Sequence, residues 1–546
     1  MYTDKKSILQ LAVLLAAHGV RKVVLCPGSR DIPLVHTFSS MPEFTCYQVT
    51  DERSAGFFAL GLALHDGRPA AVCCTSGSAL LNLHPAVAEA FYRQVSLVVI
   101  SADRPMAWIG QMDGQTLPQA GVFGTLVKKS VHLPEVSSAE DEWYCNRLIN
   151  EALLAVDHHG RGPVHINVPV SEPFFDCPVG SLPQARVITR CSGSFSSLLE
   201  DLNRYPRRML VIGQEDPMFQ DGLDRLADVD RYFVCVAEHL ANYHGTAVRN
   251  IDAVLYSQDK EARLGLSPDL LITCGGHIIS KRLKQLLRSC PPQAHWHITP
   301  TGEVADLFQS LTTLIEARPT EFLSQVLPQC GEVDGGYRER WQQLSAKLPR
   351  PDFPYSEMGV IGKVMQHLPQ TCSLHLANSS VVRYAQLFPL PASVKVLSNR
   401  GMNGIEGSLS AAVGYAAASG ELNFAFIGDL SFFYDMNALW NHCYGPNLRI
   451  LLLNNRGGEI FHALPGLNLA GDTHRFVVGM HQTTARGWAE TCGFEYLPVY
   501  DEADLAKTLP RFVQPAVTGR PMLLEAFTDP TTDVQLLKDY YHSIKS

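Results

Sequence analysis

Residues 424–455 contain two short apolar runs, FAFIGD (424–429) and RILLLNN (449–455), and each run ends in a small or polar residue. The segment between them is long enough for a helix. Continuous apolar runs that alternate with helices are typical of parallel sheets covered on both faces. The pattern predicts an α/β fold in which the residues that end the runs lie at one edge of a sheet, where such sheets bind ligands.

The same pattern recurs along the chain, in VVLCPGS (23–29), AAVCCTSGS (70–78), SLVVISAD (96–103), MLVIGQ (209–214) and LLITCGG (270–276). Two stretches rich in Pro, Gly or Ser, 176–206 and 328–356, are interpreted as linkers. They predict three doubly wound parallel-sheet domains, at residues 1–177, 190–330 and 350–546. The outer two share a small-residue helix followed by a strand-helix-strand unit, which favours an internal duplication.

Composition narrows the functional classes. The chain has 546 residues, with 45 Lys and Arg against 54 Asp and Glu, a net charge of −9. This balance argues against a nucleic-acid-binding surface. The 14 cysteines form no CxxC motif, so they predict reduced thiols in a cytoplasmic protein rather than a zinc site. No apolar run approaches the roughly 20 residues of a membrane span.

The residues that follow the two opening runs have the chemistry of a magnesium site. Asp429 ends one strand, Asn455 ends the next, and the carbonyl of Gly457 lies close behind. A carboxylate, an amide and a carbonyl oxygen form a hard donor set suited to Mg²⁺. A helix expected from near Ser431 would point its N-terminus at phosphate groups. The alternative is that Asp429 caps the helix and Asn455 belongs to a turn.

Two weaker motifs occur in the first block. Glu52 enters the small-residue helix of TDERSAGFFALGLA (50–63), and an acidic residue there is often only a complement to the helix dipole. The turn CPGSR (26–30) follows a strand and resembles an anion-binding turn. Neither motif is specific when taken alone.

Taken together, these motifs resemble the thiamine-diphosphate-dependent enzymes, whose pyrimidine-binding, central and diphosphate-binding domains follow the same order. More narrowly, the chain resembles the menaquinone-pathway synthases that act on isochorismate. The segments that carry the resemblance are PGSR (27–30), TDERSAGFFALGLA (50–63), TSGSALLNLHPAVAEA (75–90), SADRP (101–105), SKRL (280–283), NSSVVR (378–383), SNRGMNGIEG (398–407), GDLSFFYDMNAL (428–439) and NNRGGEIF (454–461).

The resemblance implies decarboxylation of 2-oxoglutarate and addition of the resulting succinyl carbanion equivalent to isochorismate. It implies thiamine diphosphate and Mg²⁺ as cofactors, with Mn²⁺ able to substitute. Glu52 matches the acid that hydrogen-bonds the aminopyrimidine ring and activates the cofactor. The residues that match cofactor-binding positions are Ser29, Glu52, Ile405, Gly428, Asp429, Leu430, Ser431, Asn455, Ile460 and Phe461, with Asp429, Asn455 and Gly457 at the metal.

Both expected substrates are dicarboxylates, which require planar arginine donors. The residues that match substrate positions are Arg30, Arg104, Gln115, Lys281, Arg282, Ser379, Arg383, Arg400, Phe461 and Leu464. Of these, Ser379 matches the family serine near the reacting carbons, and Ser379, Arg383 and Arg400 are expected to be catalytic with Glu52. Arg104, Lys281 and Arg282 are expected to serve isochorismate. The family has Asn-Gln where this chain has Gly114-Gln115.

Apolar residues complete the site that the resemblance implies. Ile405 matches the residue that bends the cofactor, and Ile460, Phe461 and Leu464 match an apolar wall. The family completes its sites between subunits, which implies a homodimer or homotetramer.

Three alternatives remain at this point. One is a related carboligase that uses a monocarboxylate such as pyruvate, which the number of arginines disfavours. The second is a nicotinamide or flavin oxidoreductase, which the absence of a GxGxxG segment disfavours. The third is a non-catalytic binding or assembly protein on the same scaffold, which the presence of Glu52, Asp429 and Asn455 together disfavours.

Overall fold

The structure is a computed structural model that describes residues 1–545 except 216, 218–221, 224, 225, 227, 441, 459–475 and 518. The described residues form three six-stranded sheets, whose strands occupy residues 22–169, 189–316 and 372–527. The predicted α/β fold with three parallel-sheet domains is confirmed, whereas the predicted domain boundaries stay a prediction.

The first sheet is parallel throughout, with strand order β2-β1-β3-β4-β6-β5. The elements of this part are α1 (Lys6–Ala17), β1 (Lys22–Leu25), α2 (Ile32–Ser40), β2 (Thr45–Gln48), α3 (Glu52–Asp66), β3 (Ala70–Cys74), α4 (Ser78–Asn82), α5 (His84–Tyr92), β4 (Leu97–Asp103), β5 (Lys129–His132), α6 (Ala139–Ala155) and β6 (Val164–Pro169).

The second sheet has strand order β7-β12-β11-β10-β8-β9 and is parallel from β11 through β10 and β8 to β9. The elements of this part are β7 (Thr189–Ser192), α7 (Ser196–Arg204), β8 (Arg208–Ile212), α8 (Val229–Tyr232), β9 (Val234–Ala237), α9 (Ile251–Ser257), α10 (Lys260–Leu264), β10 (Leu270–Cys274), α11 (Lys281–Ser289), β11 (Ala294–Ile298), β12 (Thr313–Glu316), α12 (Pro319–Val326) and α13 (Gly335–Lys347).

The third sheet is parallel, and its strand order, β14-β13-β15-β16-β18-β17, repeats that of the first sheet. The elements of this part are α14 (Glu357–Gln366), β13 (Cys372–Leu376), α15 (Ser380–Ala385), β14 (Lys395–Leu397), α16 (Ser408–Ala418), β15 (Leu422–Gly428), α17 (Asp429–Asp435), β16 (Leu448–Asn454), α18 (Arg486–Thr491), β17 (Glu495–Val499), α19 (Glu502–Val513), β18 (Met522–Phe527) and α20 (Pro530–Ser543).

The central strand β15 shows why the run 424–427 is apolar without interruption. Phe424 and Phe426 pack into a core on one face, while Ala425 and Ile427 pack into a second core on the other face. Successive side chains of a strand point to opposite faces, so a strand with helices on both sides is apolar along such a run. The polar Asp429 follows where this run ends, at the carboxyl end of β15.

The two predicted linkers are wrong in part. Residues 176–206 include β7 and α7, and residues 328–356 include α13. In α13, Tyr337 and Trp341 are buried, so this helix packs against the protein despite the Pro and Gly residues around it. The composition of these segments did not indicate the helices and the strand inside them. Packing against the rest of the protein, rather than composition, decides whether a polar segment forms a helix.

The described residues divide into a first unit, Met1–Arg190 with Val304–Leu314, and a second unit, Cys191–Glu303 with Ile315–Ser546. Asp306 explains why the short segment belongs to the first unit. Its buried carboxylate accepts a hydrogen bond from Trp143 Nε1 at 2.8 Å and pairs with Arg186 at 2.8 Å. It also accepts the backbone N–H groups of Ser310 and Leu311, both at 2.9 Å.

All 14 cysteines are free thiols, as predicted. Within the described part of the chain, we find no helix with the length and apolar character required to cross a membrane.

We predict that Asp306→Ala destabilises the first unit by about 3–5 kcal/mol, because it removes the carboxylate that pairs with Arg186 and leaves the Trp143, Ser310 and Leu311 N–H groups without this acceptor. Denaturant unfolding followed by circular dichroism measures the change. Glu89→Ala, which breaks an exposed pair with Arg93, is the control and should change stability by less than about 0.5 kcal/mol. Equal effects of the two variants would contradict the assigned role of Asp306.

Candidate functional site

The predicted metal ligands meet at the carboxyl ends of β15 and β16. These strands pair in parallel, with Gly428 opposite Leu453, so the residues that follow them lie side by side. The Gly457 N–H is shared by Asp429 Oδ2 at 3.0 Å and Asn455 Oδ1 at 3.1 Å. Both side chains are almost completely buried. Two hard oxygens that converge in a buried position match the donor set that Mg²⁺ prefers.

A buried glutamate orients the Asn455 amide. Asn455 Nδ2 donates to Glu357 Oε1 at 2.9 Å, which turns the amide oxygen toward the Gly457 N–H. Glu357 lies in the first turn of α14, and its own N–H donates to Asp533 Oδ1 at 2.9 Å. The orientation of a ligand-bearing amide therefore depends on a carboxylate almost 100 residues away in the chain.

Gly457 and His481 complete this corner of the site. A Cβ at position 457 would lie 2.9 Å from Val478 Cγ1 and 3.1 Å from Val478 O, so only glycine fits without displacement. His481 Nε2 lies 3.2 Å from Asp429 Oδ2, while its Nδ1 accepts the Thr483 N–H. His481 is thus a neighbour of the predicted metal ligand that the sequence did not indicate.

The helix next to the predicted metal ligands starts earlier than expected. α17 begins at Asp429, with Gly428 as its N-cap, rather than near Ser431. Asp429 Oδ1 accepts the N–H of Leu430 at 2.6 Å, and Ser431 Oγ donates to the carbonyl of Ile405. Asp429 therefore has a helix-start role through Oδ1 and leaves Oδ2 directed at Gly457. The alternative interpretation, in which Asp429 is the N-cap of this helix, is therefore wrong, because Gly428 occupies that position.

Ser379 has an unusual backbone. It follows β13 with φ 75° and ψ −128°, a conformation that costs a non-glycine residue about 1–3 kcal/mol and is concentrated at functional sites. The Arg383 guanidinium donates back to the Ser379 carbonyl from one turn along α15. The predicted pair of substrate residues is therefore held as one unit.

A group of cations surrounds Glu238 in the second unit. Arg400 donates to Asn378 Oδ1 at 2.9 Å, and burial together with the nearby Arg383 charge lowers the pKa of Arg400. Burial also lowers the pKa of Lys284, against the opposing influence of the Glu238 carboxylate. Several cations in a poorly solvated region create a positive potential that attracts anions such as carboxylates.

Glu238 and Asp252 hold the turn that precedes Lys281 and Arg282. The two Glu238 oxygens accept the N–H groups of Ile279 and Ser280, both at 2.7 Å. Asp252 Oδ1 accepts the N–H of Arg282 at 3.3 Å and the hydroxyl of Ser280. Lys281 is exposed and Arg282 is partly buried.

The first unit contains Glu52 at the start of α3, as predicted, with Asp51 as the N-cap. Buried Asp31 is its electrostatic neighbour: burial raises the pKa of Asp31 to about 6, and the Glu52 charge adds to the rise. Within the described part of the chain, we find no hydrogen-bond partner for either Asp31 oxygen or for the buried hydroxyls of Thr75 and Ser76. Polar side chains therefore lie beyond the carboxyl ends of β1 and β3.

Two predicted substrate arginines also lie in the first unit. The buried Arg30 donates to the Val170 carbonyl at 3.0 Å and stacks on the Phe174 ring at 4.7 Å. Arg104 pairs with Asp113 at 2.9 Å and donates to the Gly114 carbonyl at 2.9 Å. Both guanidiniums therefore have protein partners.

The remaining positions differ in exposure. Ser29 and Gln115 are exposed, and Gln115 has φ 56°. Gln119, four residues further, is buried and accepts the Gly77 N–H at 2.7 Å, so it has a structural role that the motif did not reveal.

Ile405 is partly buried. The predicted residues Ile460, Phe461 and Leu464 lie outside the described residues.

Sequence reasoning missed Asp31, Glu238, Asp252, Lys284, Glu357 and His481. Two of these were visible in the sequence: Asp31 follows PGSR directly, and Lys284 lies one turn from Lys281 in α11. Glu238, Glu357 and His481 lie in segments without a motif, so only the tertiary contacts identify them.

Family models match three parts of the chain. They are "Thiamine pyrophosphate enzyme, N-terminal TPP binding domain" at residues 9–122, "Middle domain of thiamine pyrophosphate" at residues 226–375, and "Thiamine pyrophosphate enzyme, C-terminal TPP binding domain" at residues 378–526.

Curated relatives match along the full length. Proteins named 2-succinyl-5-enolpyruvyl-6-hydroxy-3-cyclohexene-1-carboxylate synthase from Bacteroides fragilis and Bacteroides thetaiotaomicron are 58% and 57% identical, and all of each chain is covered. A protein of the same name from Flavobacterium psychrophilum is 37% identical, with 96% of each chain covered.

We predict that Glu238 makes stability depend on pH. Burial raises the pKa of this carboxyl from 4.5 to about 7, so between these values the folded chain holds a proton that the unfolded chain has lost. The free energy of unfolding should therefore fall as pH rises from 4.5 to 7, by up to roughly 3 kcal/mol. Urea unfolding at several pH values measures this slope.

The glutamine side chain of Glu238→Gln cannot ionise, so this variant should reduce the dependence of the unfolding free energy on pH. Glu261→Gln, at an exposed position of α10, should leave that dependence as in the wild type. A Glu238→Gln slope equal to that of the wild type would show that this carboxyl does not titrate in that range.

Proposed function

This chain belongs to the thiamine pyrophosphate enzymes and, among them, to the 2-succinyl-5-enolpyruvyl-6-hydroxy-3-cyclohexene-1-carboxylate synthases, and on that basis we propose the reaction it catalyses. It decarboxylates 2-oxoglutarate and joins the remaining succinyl unit to isochorismate, which gives the product in the name of its relatives and CO2. This is a step of menaquinone biosynthesis.

One observation in the second unit supports the proposal most directly. The convergence of Asp429 and Asn455 on the Gly457 N–H provides a buried anchor for a metal-bound diphosphate. The same unit carries Arg383 and Arg400, whose positive charges interact. A diphosphate anchor and cations for dicarboxylates are both required by this reaction, and a pyruvate-using relative has no need of several cations.

Asp429, Asn455 and Gly457 are proposed to hold Mg²⁺, or Mn²⁺ in its place, against the diphosphate of thiamine diphosphate. The fit rests on the oxygen donors and on their burial. Glu357 acts on this site indirectly, because it keeps the Asn455 amide oxygen turned toward Gly457. Ile405 and Ser431, joined by a hydrogen bond, are proposed to contact the cofactor, with Ser29, Gly428, Leu430, Ile460 and Phe461.

Thiamine diphosphate, when bound, supplies the electron sink for decarboxylation. Glu52 is proposed to hold and release a proton at the ring nitrogen of the aminopyrimidine, which requires a carboxyl group. Its partly buried position at the start of α3 keeps the carboxyl near the sheet edge. The negative charge of Glu52 favours the protonated form of its buried neighbour Asp31, whose pKa burial already raises.

The arginines are proposed to divide between the two substrates. Ser379, Arg383 and Arg400 lie in the domain of the metal ligands and are assigned to the reacting carbons and the donor carboxylates. Arg104, Lys281 and Arg282 come from the first and central domains and are assigned to isochorismate. Arg30, Gln115, Phe461 and Leu464 are further proposed substrate contacts.

We propose that the active form is a homodimer or a homotetramer in the cytoplasm. Exposed apolar side chains support the assembly: Phe57, Phe58 and Leu64 of α3 are 42–45% exposed, and Tyr434 and Trp440 are 69% and 65% exposed. Apolar surface of this kind is usually covered by a partner. The free thiols agree with a reducing compartment. Light scattering distinguishes the dimer from the tetramer.

The proposed function is tested by supplying purified protein with both substrates, thiamine diphosphate and Mg²⁺, and by measuring CO2 and product. Product should form only when all four are present. Replacement of 2-oxoglutarate by pyruvate should abolish turnover. Turnover of pyruvate, or product without isochorismate, would favour another carboligase.

We predict that Asp429→Ala weakens metal and cofactor binding together, because each supplies contacts to the other. Calorimetric titration with thiamine diphosphate at limiting Mg²⁺ measures this, and we expect at least a tenfold loss of affinity, about 1.4 kcal/mol. Asp435→Ala, in the same helix, removes an acceptor of Ser410 and serves as the control. Unchanged affinity in Asp429→Ala would exclude the ligand role.

We predict that Glu52→Gln preserves the fold and most of the cofactor affinity but slows exchange of the thiazolium C2 proton by roughly 10²–10⁴-fold. The reason is that an amide does not take up and release the proton. Quenched-exchange NMR measures the rate, with Glu43→Gln, at an exposed position, as the control. Wild-type exchange in Glu52→Gln would require a different activating group.

A further inference from the structure

The side chain of Arg282 lies against two neighbouring tyrosine rings that also contact each other. Its guanidinium carbon lies 4.5 Å from the centre of the Tyr256 ring and 5.5 Å from that of Tyr541. The two ring centres are 4.9 Å apart. Tyr256 belongs to α9 of the central domain, whereas Tyr541 belongs to α20, the last helix of the chain. We call these two residues the tyrosine clamp.

The clamp leaves the charged donors of Arg282 available. A ring face attracts a guanidinium through its charge and consumes no N–H group. Among the described residues, no carboxylate or carbonyl accepts from the Arg282 side chain, whose backbone N–H alone donates, to Asp252. The other four site arginines each donate to the protein, namely Arg30, Arg104, Arg383 and Arg400.

Tyr541 also forms part of a cavity beside another site residue. A cavity of about 130 Å³ is lined by Tyr541 and Tyr540 of α20, by Ile279 and by Arg383. Tyr541 therefore contacts Arg282 and lines a cavity that Arg383 also lines. No contact between Tyr541 and Arg383 is seen among the described residues, so the direct link of this helix to the proposed substrate site is through Arg282.

We propose that Tyr541 and Tyr256 are positioning residues that hold the Arg282 guanidinium ready for a carboxylate of isochorismate, an inference that rests on the proposed function. The backbone of Arg282 is fixed by Glu238 and Asp252, but a long side chain still has several rotamers. Holding it before the acceptor arrives reduces the entropy lost on binding. The C-terminal helix thereby contributes to acceptor affinity without touching the substrate.

The test compares Tyr541→Leu, Tyr541→Phe and Tyr256→Leu in the full chain with both cofactors. We expect each leucine variant to raise the KM for isochorismate and its calorimetric Kd about five- to tenfold. Tyr541→Phe keeps the ring and should remain within twofold of the wild type. Single-turnover CO2 release from 2-oxoglutarate without isochorismate should be unchanged in all three.

A double-variant cycle separates positioning from general structure. In the Arg282→Ala background, Tyr541→Leu should raise the KM no further, because the clamp has nothing left to hold. Tyr540→Leu, the matched change at the neighbouring residue that packs on Phe353, should lower Tm but change the KM less than twofold.

An unchanged isochorismate Kd in both leucine variants would overturn the proposal. So would an equal effect of Tyr541→Leu with and without Arg282, or a tenfold KM increase in Tyr540→Leu. Absence of product formation by the wild-type protein would instead overturn the proposed function.

Discussion

The parallel register of β15 and β16 is the constraint on which the proposed metal site depends. With Gly428 opposite Leu453, the first residues beyond both strands share one sheet edge, and a single N–H of Gly457 fixes the oxygens of Asp429 and Asn455 together. The apolar cores on both faces maintain that register, because a slip of one residue would exchange the faces of every side chain. The packing that stabilises the sheet therefore also determines the geometry of the proposed metal site.

Carboxylates that are not themselves predicted ligands position two parts of the site. Glu357 orients an amide, while Glu238 and Asp252 fix the backbone before Arg282. Burying such groups is unfavourable unless N–H donors and cations surround them. Among the surrounding cations are Arg383 and Arg400, which are proposed to bind the carboxylates of the substrates. The protein carboxylates stabilise these cations in a poorly solvated region before any substrate is present.

Local pattern was sufficient for the strands and for the start of α3, because uninterrupted apolar runs and a capping Asp51 are decided by nearby residues. It was insufficient for α7 and α13, which were interpreted as linkers, and for the first turn of α17. In α13, only Tyr337 and Trp341 are buried, so the helix depends on the surface against which it packs. The residues of α13 alone do not indicate the surface against which the helix packs.

The sequence by itself determined the α/β class, the polar residues at the strand ends and the motifs of the family, because strand periodicity and short motifs are local properties of the chain. The tertiary structure alone decided which distant groups act on those residues. Glu357 reaches Asn455, His481 reaches Asp429, and Tyr541 reaches Arg282. These contacts join positions from 52 to 259 residues apart on elements whose spacing no motif encodes, since side-chain contacts across a sheet edge depend on how whole helices pack.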